Sequence, residues 1–95
     1  MDRISTMDTN GAALSVSLSA LRPGAAAIVL GVGHSSTITP IERRLLELGF
    51  VSGERVEVLA EARPGRDPFV VRVGSTQLAL RRREAETIWV ELTVS

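Results

Sequence analysis

The chain has no cysteine, which excludes disulfides, thiolate metal sites and cysteine nucleophiles. Lysine is also missing. All eleven basic residues are arginine, which serves a solvated surface as readily as it recognises planar anions. The single histidine, His34, rules out a multi-histidine metal centre built within one chain. Aromatic residues make up only 3% of the sequence, so a core has to come from Val, Leu, Ile and Ala. Eleven acidic residues balance the arginines, and a neutral chain lacks the basic excess of a general polyanion binder. No apolar run approaches the roughly twenty residues of a membrane span. Ala12 to Ala20 has the size of a signal-peptide core, but Ser15, Ser17 and Ser19 interrupt it and Asp2 and Asp8 precede it. The chain therefore reads as one small cytoplasmic domain of 95 residues.

What is present is organised around Thr39 to Gly53. Thr39 is suited to an N-cap, Pro40 to the first helical position, and Glu42 to the far side of a capping box. Gly49 fits a left-handed helix end, with Phe50 closing a Schellman contact onto Leu45. Ile41, Leu45 and Leu48 recur at helical spacing, opposite Glu42, Arg43 and Glu47. Such a helix is too short to stand alone and must lean on neighbouring strands.

Those strands are legible as alternation. Residues 1–13 read as a flexible tail and 14–95 as the domain. Leu14, Val16 and Leu18 suggest a short edge strand. Ala25 to Gly33 is apolar at every central position, as in a strand covered on both faces, with Gly31 and Gly33 marking a bulge or bend. Glu54 to Ala62 alternates, with Val56 and Val58 inward and Arg55, Glu57 and Glu61 outward. Phe69 to Val73 and Thr76 to Arg81 form a hairpin across Gly74-Ser75. A single helical turn at Arg82 to Glu86 leads to a last strand carrying Ile88, Val90, Leu92 and Val94. Short strands with one inserted helix make a mainly β, strongly bent antiparallel barrel.

The residues offer little to catalysis. A serine or threonine nucleophile needs a base, and the only imidazole lies in a glycine-serine loop. Gly31-Val-Gly33 precedes no helix with phosphate-loop spacing. Arg81-Arg82-Arg83 is the densest charge cluster, and its neighbours are Ala, Leu and Glu rather than the aromatics a nucleic-acid surface would interleave. It reads as a solvated turn or as a dock for an acidic partner surface. Leu59, Val70 and Trp89 fall in polar phases and are candidates for a shared exposed patch, the alternative being that the barrel's own curl covers them.

The order Leu21-Arg-Pro-Gly24, Arg43-Arg-Leu-Leu-Glu-Leu-Gly-Phe-Val-Ser-Gly53, Val56-Glu-Val58, Asp67-Pro68 and Leu78-Ala-Leu-Arg-Arg82 with Glu84-Ala85 resembles the FeoA family from about Leu18 to Val94. The resemblance implies an SH3-like barrel. It also implies a non-enzymatic cytoplasmic accessory protein of bacterial ferrous iron uptake. Such a protein binds and modulates FeoB, a membrane transporter with a cytosolic GTPase domain, and is recruited by it to the inner membrane. A similar module occurs at the C-terminus of some metal-dependent repressors, and the lack of a DNA-binding helical domain favours the stand-alone transport protein. Ser52, where the family often has proline, and Arg66, which lengthens the loop before Asp67-Pro68, depart from the pattern.

Of the matched residues, Leu45, Leu48, Gly49, Phe50, Gly53, Leu78 and Leu80 are expected to be structural. Arg43, Arg44, Leu46 and Arg81 to Arg83 are expected to contact the partner, with Trp89 as a further contact. The rival reading is a metal-responsive module in which His34 holds a divalent ion, Fe2+ or Zn2+, at the interface of a homodimer.

Overall fold

A computed structural model describes residues 15–33, 36–62 and 64–92. The tail, Leu14, His34 and the end of the last strand at Val94 lie outside the described residues. The elements in chain order are β1 (Ser15–Ser17), a 3-10 turn (Leu18–Ala20), β2 (Ala26–Val32), α1 (Pro40–Leu48), β3 (Arg55–Glu61), β4 (Phe69–Val73), β5 (Thr76–Leu80), α2 (Arg82–Ala85) and β6 (Ile88–Leu92). The strands form one antiparallel sheet in the order β1-β6-β2-β3-β4-β5. The core runs along its inner face through Leu18, Val29, Leu45, Phe50, Val56, Val58, Phe69, Val71, Leu80, Ile88 and Val90. Aliphatic residues dominate it, as a chain poor in aromatics requires.

Both ends of α1 follow from local chemistry. The Glu42 N–H donates to Thr39 Oγ1 and the Thr39 N–H to Glu42 Oε1, each at 3.1 Å, closing the capping box. At the other end Gly49 has φ 117°, a conformation that favours glycine. The Gly49 N–H reaches the Leu46 carbonyl and the Phe50 N–H the Leu45 carbonyl, each at 3.1 Å, which is the Schellman pattern. Leu45 and Phe50 are buried together in the core, so the motif that stops the helix also fastens it to the sheet.

The helix is anchored in the core at that end. Ile41, expected on its buried stripe, is 45% exposed and Leu48 is half-buried. The anchor is at the C-terminal turn, and the first turn stands clear of the core. β2 departs from expectation in a related way. Ala27 and Val29 are buried, Ile28 is half-buried and Leu30 is 42% exposed, so its outer face is not covered. The bulge anticipated at the glycines is present, because pairing with β6 shifts register between Val29 and Gly31.

A second bulge is unannounced by any glycine. Pairing of β3 with β4 runs Val58 with Val71, then Ala60 with Val70 and Glu61 with Phe69. The extra residue at Leu59 inverts the alternation beyond it. Val58 and Glu61 therefore share the inner face with Val71 and Phe69, and Ala60 faces out. Glu61, expected outward with Arg55 and Glu57, turns inward, and its side chain is only 7% exposed. The carboxylate is compensated there by Arg66, whose Nε–H donates to Glu61 Oε1 at 2.8 Å, while Arg22 approaches from solvent at 3.5 Å.

Candidate functional site

The β5–α2 corner is built around Asp67. Arg81 is extended (φ −70°, ψ 153°) and its N–H donates to Glu84 Oε1 at 2.9 Å, so Glu84 reaches back over the start of α2. Asp67 Oδ1 accepts the Arg82 N–H at 3.1 Å, and Oδ2 pairs with the Arg81 guanidinium at 3.4 Å. At the far end of the turn Ala85 is buried, and the Ser17 hydroxyl donates to its carbonyl at 3.2 Å. A four-residue helix is not stable by itself. Here it is clamped between the loop before β4 and the 3-10 turn.

This corner faces the free first turn of α1 across an open cleft of about 280 Å³ lined by Ile41, Asp67, Arg81, Arg83 and Glu84. Ile41 supplies an uncovered apolar contact. Arg83 is exposed and has no ion-pair partner among the described residues, whereas Arg81 pairs with Asp67. The cleft thus offers one hydrophobic anchor beside the Arg83 guanidinium, with the Glu84 carboxylate on the same lining. The start of α1 is positioned from below through Gly33. Its N–H donates to the Thr87 carbonyl at 2.8 Å, and a Cβ on it would stand 2.6 Å from the Glu42 carboxylate. A Cβ there would push the Glu42 carboxylate aside.

The sequence-predicted contact residues divide. Arg81 and Arg83 line the cleft. Arg82 does not, because its guanidinium donates to the Gly65 carbonyl at 3.1 Å and approaches Glu86 at 3.5 Å. Arg43 and Arg44 are exposed on α1 without ion-pair partners among the described residues, and Leu46 is half-buried outside the cleft lining. Trp89 is half-buried, and its indole N–H donates to the Gly33 carbonyl at 3.1 Å.

Leu59, Val70 and Trp89 do not form one patch. Trp89 pairs opposite Gly31, near the far end of β2 from the segment that pairs with β3, so β2 separates it from Leu59 and Val70. His34, the candidate metal ligand, lies outside the described residues. Among the described residues no group of three or more His, Cys, Asp or Glu side chains converges to hold a metal ion, so no metal step is assigned to them. Nor is any helix among them long and apolar enough to cross a membrane.

Two residues that sequence reasoning left out prove central to the corner. Asp67 was visible only as half of a matched Asp-Pro pair. Helical spacing puts Ile41 on one stripe with Leu45 and Leu48, but periodicity does not say how far along a helix the packing extends.

Residues 16–92 match the FeoA domain model. The chain is 36% identical over 78 residues to an Fe(2+) transport protein A/Fe(2+) transporter FeoB fusion protein of Porphyromonas gingivalis, covering 82% of this chain and 9% of that one. Among solved structures, FeoA of Stenotrophomonas maltophilia complexed with zinc superposes with TM-score 0.71 at 41% identity, covering 80% of this chain and 89% of that one. The FeoA protein of Chlorobium tepidum gives TM-score 0.71 at 37% identity, covering 83% and 71%.

Proposed function

Because the chain belongs to the FeoA family, a family associated with ferrous iron transport, we propose that it is a cytoplasmic accessory protein that docks on the cytosolic portion of the FeoB transporter and modulates it. The observation that carries the reading is the Porphyromonas gingivalis relative, in which the matching domain and FeoB are one fused chain. Fusion keeps two partners at high effective concentration, which is useful when a small module works by binding. The proposed contact is the cleft between α1 and α2, with Ile41 as the apolar anchor and Arg83 as its cationic rim, supported from α1 by Arg43 and Arg44. Arg82 is a poor probe of docking, since removing it also releases Gly65.

Ile41→Glu should lower affinity for the cytosolic portion of FeoB about tenfold or more, as expected when an interface anchor is lost. Arg83→Glu should lower it less and in a salt-dependent way. Both side chains are exposed, so both variants should keep a cooperative melt near that of the wild type. Amide shifts of labelled protein on adding FeoB, together with transporter-dependent iron uptake, measure this. Wild-type binding by both variants would place the contact elsewhere.

A second reading, a module that responds to a divalent ion, draws support from the zinc complex of the Stenotrophomonas maltophilia relative. Calorimetric titration with zinc or ferrous ion separates the two. Heat accompanied by a change in oligomeric state favours metal response, and a flat titration leaves docking alone.

A further inference from the structure

Arg81 and Arg83 line the cleft together with Asp67 and Glu84, so net charge does not choose its ligand. The hydrogen bonds do. Each acid already serves the corner itself. Asp67 Oδ1 accepts the Arg82 N–H at 3.1 Å, and Oδ2 pairs with Arg81 at 3.4 Å. Glu84 turns back on the chain, where its Oε1 takes the Arg81 N–H at 2.9 Å. The guanidiniums are less committed. Each carries five N–H donors. Among the described residues that of Arg81 meets only the Asp67 carboxylate, and that of Arg83 meets no acid at all. The cleft therefore holds surplus donors beside Ile41, a lining that suits a carboxylate next to an apolar residue.

The two oxygens of Asp67 do different things. Oδ1 holds a backbone N–H and so fixes the start of α2. Oδ2 holds a guanidinium whose side chain is 69% exposed and would otherwise reach into the cleft. Taking the cleft as the FeoB contact proposed above, on which this rests, we propose that Asp67 is a specificity-determining residue. Through Oδ2 it keeps Arg81 from a carboxylate of the partner, which then meets Arg83 alone. To engage Arg81 as well, that carboxylate has to displace Asp67 or stand beside a like charge, and a built-in repulsive element of this kind narrows the choice of partner.

Asp67→Asn separates the two roles. The amide oxygen still accepts the Arg82 N–H, while the NH2 group turns donors toward Arg81 and releases it. Affinity for the cytosolic portion of FeoB, measured by calorimetry at low salt, should rise about two- to fivefold, the range of one exposed ion pair. The gain should fade as salt is added. Loss of a residue that only supported the fold would not raise affinity. Arg81→Gln in the wild type should cost less affinity than Arg83→Gln, because Arg81 is held back, and in the Asp67→Asn background it should abolish the gain. Unchanged or weaker binding by Asp67→Asn, alongside weakened binding by Ile41→Glu, overturns the proposal and leaves the docking face standing. Wild-type binding by Ile41→Glu removes the docking face and the role of Asp67 with it. If Asp67→Asn does not fold, the two arginine variants decide, and equal losses from Arg81→Gln and Arg83→Gln overturn the proposal.

Discussion

Replacing Phe50 by alanine is expected to cost about 3–5 kcal/mol, the range for deleting a fully buried aromatic side chain. The upper half of that range applies. Phe50 is fully buried among core residues, and it is also the hydrophobic member of the Schellman motif that fastens the C-terminal end of α1 to the core. Alanine preserves the backbone hydrogen bonds and removes what drives them together. A domain of this size has roughly 5–15 kcal/mol in hand, so the variant should be at or near the limit of folding at 37 °C. Urea unfolding followed by far-UV dichroism measures it as a shift in midpoint at unchanged slope. A shift worth less than about 1 kcal/mol would mean that the helix is held some other way.

The second large effect concerns Arg66. Its Nε–H bonds Glu61, and its Nη2 donates to the Ser19 and Leu21 carbonyls at 3.2 and 2.7 Å. Its guanidinium carbon lies 5.3 Å from the centre of the Phe69 ring. The residue has φ 57°, an unusual conformation for a side chain other than glycine, of the kind that persists only when its surroundings impose it. Truncation to alanine removes the 2.8 Å ion pair from the inward carboxylate of Glu61 and the hydrogen bonds to the Ser19 and Leu21 carbonyls. Breaking a buried pair from one side costs ~3–5 kcal/mol. Arg22 remains near Glu61 to compensate in part, which puts the expected loss at about 3 kcal/mol. Arg66→Lys should recover little, because one ammonium cannot serve three acceptors on different elements. In the double variant with Glu61→Leu the loss should shrink well below the sum of the two single changes. A thermodynamic cycle measures this directly, and strict additivity would show that the pair is not coupled.

Glu61 also marks where the sequence stops being readable. Both ends of the capped helix are legible, because capping box, proline and terminal glycine act within a few residues of chain. So was the sheet: Val56, Val58, Phe69, Val71, Ile88 and Val90 all face the core as their alternation implies. Alternation holds only until a bulge inverts it. The β2 bulge is flagged by Gly31, but the one at Leu59 is specified by pairing with β4 and leaves no local trace. The candidate site shows the same division. Arg81 to Arg83 stand out as a cluster in any reading of the chain. That Arg81 is neutralised, Arg82 tied to Gly65 and Arg83 left free depends on a loop some fifteen residues upstream and is decided only in three dimensions.

The bond from the Trp89 indole to the Gly33 carbonyl gives the molecule an intrinsic optical reporter. There is one tryptophan and no tyrosine, so ultraviolet emission comes from a single half-buried indole whose hydrogen bond ends on the residue beneath the Glu42 carboxylate. A partner that shifts the first turn of α1 perturbs that bond. Emission from the unlabelled protein therefore reports on engagement at the start of α1.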